Sequence, residues 1–163
     1  MSALNAFRTT HGEPTWDDMV TGHDFGFLEP SDIQHWATGD GPAVVRLREL
    51  TGESLKSFEA QLWAACVEAV GKTPRPGSSR WSQAQDRWRE ALLRKALATE
   101  TTAARLAEQV ERLYEQVGCP EDMLGMLKPS QRWSGTPATV DPTAVQRFLD
   151  RARDGSRRYG AAT

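Results

Sequence analysis

Cysteine and tyrosine are scarce in this chain, two of each, and histidine occurs three times, at His11, His23 and His35. Cys66 sits in an apolar helical run and Cys119 at a helix end, with no spacing that suits a disulfide framework or a zinc site, so both read as free thiols in a reducing compartment. The histidines are twelve residues apart, with Asp24 and Asp32 nearby, but structural metal ligands come in tight pairs and none is present. They read as surface or helix-end histidines, and no metal is expected. Neither cysteine lies in a nucleophile motif with a base held against it, and an apolar setting for Cys66 raises its thiol pKa and suppresses reactivity. No Gly-x-Gly-x-x-Gly or phosphate-loop motif occurs, so no cofactor is expected. No run approaches the ~18 apolar residues needed to span a membrane, and the first eight residues lack the apolar core of a signal peptide, so the expected location is cytoplasmic. Sustained alternation of β-branched residues is also missing, and strands are not expected.

What remains is helical periodicity. From Trp81 to Gly118, two patterns follow one another: Trp81, Ala84, Trp88, Leu92 and Ala96, then Ala103, Leu106, Val110, Leu113 and Val117. Steps of three and four draw one stripe on each helix. Thr99, Thr101 and Thr102 between them can accept the unpaired N–H groups of a new helix, and so short a connection favours an antiparallel hairpin. The 163 residues are 39% hydrophobic and 26% charged, a mix suited to one ordinary folded domain that buries roughly 70% of its unfolded surface. Six tryptophans are read as core anchors spread over several helices, each able to bury about 200 Å². The expected fold is all-α, a single-domain bundle of about seven or eight helices built from antiparallel hairpins.

Along the chain, residues 1–14 read as a loose lead-in. Thr15 caps a short helix with Asp17 and Asp18 in its first turn, ended by Gly22. Pro30 and Pro42 open two further helices, the second carrying Val44, Val45, Leu47 and Leu50. Ser54 begins a long one whose inward stripe is Leu55, Phe58, Leu62, Cys66 and Ala69, widened by Trp63 and Val70. Residues 72–79 form a surface loop, the best candidate for mobility or proteolysis. Gly118 closes the central pair in a left-handed conformation, and Pro120 restarts a helix to about Leu127. Residues 130–140 read as a loop, Pro142 opens a last helix with Val145, Phe148, Leu149 and Ala152 inward, and residues 155–163 form a frayed tail.

Charge is unevenly spread. Residues 1–60 hold four basic against ten acidic side chains, residues 61–127 nine of each, and residues from Lys128 onward seven basic against three acidic. The C-terminal Arg147, Arg151, Arg153, Arg157 and Arg158 are interrupted by Asp150 and Asp154 and read as a solvated helix face, not a nucleic-acid contact. In the front segment, Asp17, Asp18, Asp24, Glu29, Asp32 and Asp40 fall together with no intervening Lys or Arg. Helix capping accounts for Asp17, Asp18 and in part Asp32. If the others share a surface, they attract a cationic protein partner and raise its association rate.

Thr15-Trp16, Gly22, Gly26-Phe27-Leu28 and Asp32-Ile33, the Trp88, Leu92, Leu93 helix, and Val110-Glu111 with Tyr114 and Gly118-Cys119-Pro120-Glu121 together resemble a bacterial family of small all-helical domains. Val117 stands where that family has an aromatic residue. Some members of this uncharacterised family are thought to neutralise secreted bacterial toxins, so the resemblance implies a non-enzymatic immunity-type binder. Nuclease toxins are often cationic because they grip phosphates, and an acidic surface suits such a target. The alternative is a helical scaffold or regulatory domain that self-associates through exposed aromatic surface, as a homodimer instead of a monomer.

Overall fold

The structure, a computed structural model, describes residues 1–153. The expected frayed tail, with Asp154, Arg157 and Arg158, lies outside the described residues. Among these the chain forms eight α-helices, a single 3-10 turn and one two-stranded sheet, an all-α fold. The described residues group into two compact units, residues 1–88 and residues from Arg89 onward.

In the first unit, the segment expected as a loose lead-in is helical. Helix α1 spans Ala3–His11, capped by Ser2, whose Oγ accepts from Asn5 N at 3.2 Å, and it buries Leu4, Ala6 and Phe7. Two turns give periodicity too little length to register, while burial of Phe7 supplies the stabilisation. Helix α2 (Trp16–Asp24) begins at the predicted cap: Thr15 Oγ1 accepts from Asp18 N at 3.3 Å and Asp18 Oδ2 accepts from Thr15 N at 2.7 Å. This reciprocal box satisfies two N–H groups at once. The helix does not stop at Gly22. A Cβ there would lie 2.6 Å from the ring of Trp88, so this glycine makes room for an indole and ends nothing.

Helices α3 (Pro30–Trp36) and α4 (Pro42–Glu49) start at their prolines. Gln34 Nε2 donates to the Leu47 and Leu50 carbonyls at 3.0 and 2.8 Å, covering oxygens left open at the end of α4. Helix α5 (Leu55–Val70) is capped by Ser54 and closed by Gly71 at φ 85°. Its inward face is Phe58, Leu62, Ala65 and Cys66, whereas Leu55, Trp63, Ala69 and Val70, expected inward, are exposed. Helix α6 (Ser79–Thr99) gives its first ten residues to this unit. Trp88, fully buried, donates Nε1–H to the Asp18 carbonyl at 2.7 Å and packs on Phe7 and Phe27 with ring centroids 4.5 and 5.5 Å away. The other indoles divide between half-buried pairings, such as Trp16 edge-on to Trp36 at 4.8 Å, and the solvent-facing Trp63 and Trp133.

In the second unit, α6 buries Ala91, Leu93 and Ala96, and α7 (Ala103–Gln116) buries Leu106, Ala107, Val110 and Leu113. Thr102 caps α7 as its sequence suggests, accepting from Arg105 N at 3.2 Å. Its far end closes with Cys119 N donating to Tyr114 O at 2.8 Å and Gly118 N to Glu115 O at 3.2 Å, both residues in left-handed conformation. The expected helix from Pro120 to Leu127 is only a 3-10 turn, Glu121–Met123; the chain then extends as β1 (Leu127–Lys128), antiparallel to β2 (Thr139–Val140). Pairing across the segment wins over helix propensity there, with Asp141 N donating to Met126 O at 3.0 Å and Ser130 N to Glu111 Oε1 at 2.5 Å. Residues 130–140, expected to be a loop, thus carry β2 and a Gln131–Thr136 bridge. Helix α8 (Pro142–Arg153) buries Ala144, Val145, Phe148 and Leu149, while Ala152, expected inward, is exposed. Arg89, buried, donates to Asp122 Oδ1 at 2.7 Å and lies 5.5 Å over the Phe148 ring.

No helix among the described residues is long and apolar enough to cross a membrane. The thiols differ sharply. Cys66 is buried and points its Sγ–H at Lys72 O, 3.6 Å away, and burial, reinforced by the charge of Asp17, pushes it up to about 11; Cys119 is exposed. One thiol of the two is therefore expected to react with a disulfide reagent at pH 8 in the native protein and both in denaturant. Rapid native reaction of both would mean that the Cys66 pocket opens.

Candidate functional site

The six acidic residues of the front segment all lie in the first unit and divide by what holds them. Asp17 is clamped by Arg80, whose Nε donates to Oδ2 at 2.7 Å while Nη2 holds Oδ1. Asp18, 1% exposed, accepts from the Thr15 backbone and from Arg87 Nη1 at 2.8 Å. These two charges are consumed inside the unit. Asp32 Oδ2 accepts from Glu29 N at 3.0 Å at the start of α3, so it too is a cap, with Glu29 exposed beside it. Asp24, Glu29 and Asp40 remain exposed.

Asp24 and Asp40 each have an acidic neighbour on α5. Asp24 ends α2 beside His23, a helix-end histidine as expected but a buried one; its Nε2 lies 3.6 Å from Glu59 Oε1 and its ring 5.3 Å from Phe58. Partial burial, then the charge of Glu59, raises the Asp24 carboxyl above its ordinary value, and His23 opposes the shift. Asp40 precedes Gly41, against whose backbone the Glu68 carboxylate lies; Glu68 accepts from the Ala43 and Val44 N–H groups at 3.1 Å, at the positive end of α4.

Between these acids, α5 turns outward an apolar stripe. With a hundred degrees per residue, Val70, Trp63, Val67, Ala60 and Ala64 cover about 120° of arc, bounded by Glu59 on one side and Glu68 on the other. All five are exposed, Trp63 at 46% and Val67 and Val70 at 47% each. A helix apolar on two faces has one more face than its own unit covers. Lys56 lies on the same arc, at the amino end.

No family model, curated protein or solved structure matches the chain. The functional reading therefore rests on this surface and on the sequence.

Among the described residues, no group of three or more His, Cys, Asp or Glu could hold a metal. His11 Nε2 donates to the Arg87 carbonyl, 3.0 Å away, and His35 Nδ1 to that of Ser31, 2.7 Å away, each in its own surroundings. Reading the sequence for charge located Asp24 and Asp40 but not Glu59 and Glu68, nor the outward turn of Trp63 and Val70. The available signal was that α5 has more apolar residues than one stripe holds.

Proposed function

We propose that this chain is a non-enzymatic, protein-binding domain whose partner is a cationic protein surface, docked on the outer face of α5. The observation that carries it is the exposed Trp63, Val67 and Val70 stripe with carboxylates on both borders. That pattern complements an amphipathic helix carrying Lys or Arg beside its apolar stripe. Asp24 adds support: its charge is held at some cost, since the folded state binds the proton more tightly than the unfolded one. Stability from this group falls as pH rises from about 3.8 through the raised folded value. A carboxylate retained where it opposes folding suits a binding role. Together with the family resemblance, the narrower proposal is an immunity-type protein of the bacterial cytoplasm that neutralises a cationic toxin domain.

The test is binding to the product of the neighbouring gene. Trp63→Ala is expected to weaken the complex about tenfold or more, as central aromatic anchors do. Asp24→Lys with Asp40→Lys should slow association several-fold at low salt, with the difference vanishing as the Debye length drops below ~8 Å. Asp24→Asn should melt no lower than wild type at neutral pH. Trp63 also supports a second reading, self-association: a dimer that persists in high salt and is lost in Trp63→Ala, with no uptake of the neighbouring product, would replace the first.

A further inference from the structure

We propose that the cleft beside the loop from Gly71 to Arg80 binds a phosphate-bearing small molecule. The cleft measures about 440 Å³ and is lined by Lys72, Thr73, Arg75, Ser79 and Arg80, with Val67 as an apolar wall. No acidic side chain lines it.

Its three cations do different things. Arg80 is committed to Asp17 and donates Nη2–H to the Lys72 carbonyl at 3.1 Å, fastening the two ends of the loop together. Lys72 and Arg75 form no ion pair among the described residues, so two positive charges at the cleft have no counterion there. The Thr73 and Ser79 hydroxyls likewise make no hydrogen bond among the described residues. Ser78 is spent on structure: its Oγ accepts from Trp81 N at 3.2 Å and from Arg75 N at 3.3 Å. Buried Pro74, the Ser78 N to Arg75 O bond at 2.9 Å and the Arg80 clamp fix the loop before any ligand arrives.

A dianion with three accepting oxygens matches two free cations and two free hydroxyls better than a carboxylate does. The opening N–H groups of α6, a 21-residue helix, add to the same potential. The volume falls within the roughly 300–1,000 Å³ of small-molecule pockets and far exceeds one phosphate ion, so an organic group would rest on Val67. Val67 also belongs to the face assigned to a protein partner, but the loop's cations and hydroxyls carry this inference without that reading.

The experiment follows backbone amide shifts by NMR while inorganic phosphate, phenyl phosphate and, as a control at equal ionic strength, sodium chloride are titrated into the full chain. Saturable shifts at Thr73, Ser79 and Arg80 are expected with both phosphates, tighter for phenyl phosphate, and absent with chloride. The Lys72→Ala/Arg75→Ala protein should melt as wild type does and bind about tenfold or more weakly, having lost two charge-assisted contacts. Shifts that do not saturate, that chloride reproduces, or that persist unchanged in the double variant would overturn the proposal.

Discussion

Trp88→Ala is expected to lose ~3–5 kcal/mol of stability in urea unfolding, the largest effect of any single substitution considered. The indole is fully buried between Phe7, Phe27 and the backbone of α2 at Gly22, so its removal leaves a cavity that two helices and a turn cannot close together. It also removes the hydrogen bond to the Asp18 carbonyl. Trp88→Phe separates the two contributions: most of the ring stays, the N–H goes, and a loss of about 1–3 kcal/mol is expected from the unsatisfied acceptor and the smaller ring. Gly22→Ala approaches the same contact from the other side. Its methyl would meet the indole at 2.6 Å, and about 1–3 kcal/mol is expected from overpacking. Combined with Trp88→Leu, the same methyl enters vacated space, so the double variant should cost less than the two singles summed. A Trp88→Ala protein within 1 kcal/mol of wild type would show that this ring does not anchor the unit.

Helix existence was legible because capping and periodicity agree at Thr15, Pro30, Pro42, Ser54, Thr102, Gly118 and Pro142. Where the reading failed, a tertiary contact outweighed a local signal. Gly22 is a helix breaker by propensity, yet the approach of Trp88 some sixty residues later is what demands it. Leu124 to Leu127 has helical composition, yet residues 124–126 form a turn and Leu127 pairs with Val140 in the two-stranded sheet. The candidate surface shows the same limit. Capping identified Asp18 and Asp32 as serving the fold, because a cap is local, whereas Asp17 is held by Arg80. Arg80 and Arg87, which hold Asp17 and Asp18, are more than sixty residues distant, and no local pattern announces them. The outward face of α5 was hidden for a further reason. Periodicity reports that apolar residues are too many for one stripe, but not which of two faces meets the rest of the chain.

The second large effect is expected at Asp18, where one residue serves three partners. Its Oδ2 accepts from Thr15 N and Thr15 Oγ1, both at 2.7 Å, and from Arg87 Nη1 at 2.8 Å, while its carbonyl receives Trp88 Nε1–H. Asp18→Ala deletes the first three and keeps the fourth. Breaking a fully buried ion pair costs ~3–5 kcal/mol, but the Arg87 side chain is 31% exposed and regains water, so the pair's share falls below that range, at about 1–3 kcal/mol. Loss of the cap adds about 1 kcal/mol. A total of about 2–4 kcal/mol is expected, smaller for Asp18→Asn, which still offers an oxygen to Thr15 N. Arg87 rests 4.9 Å over the Phe7 ring, so releasing it also loosens α1. The double-mutant cycle of Asp18→Ala with Arg87→Ala decides between the contributions. Strong coupling assigns the loss to the ion pair, and additivity assigns it to the cap. An Asp18→Ala protein as stable as wild type would show that this buried carboxylate does not hold the start of α2.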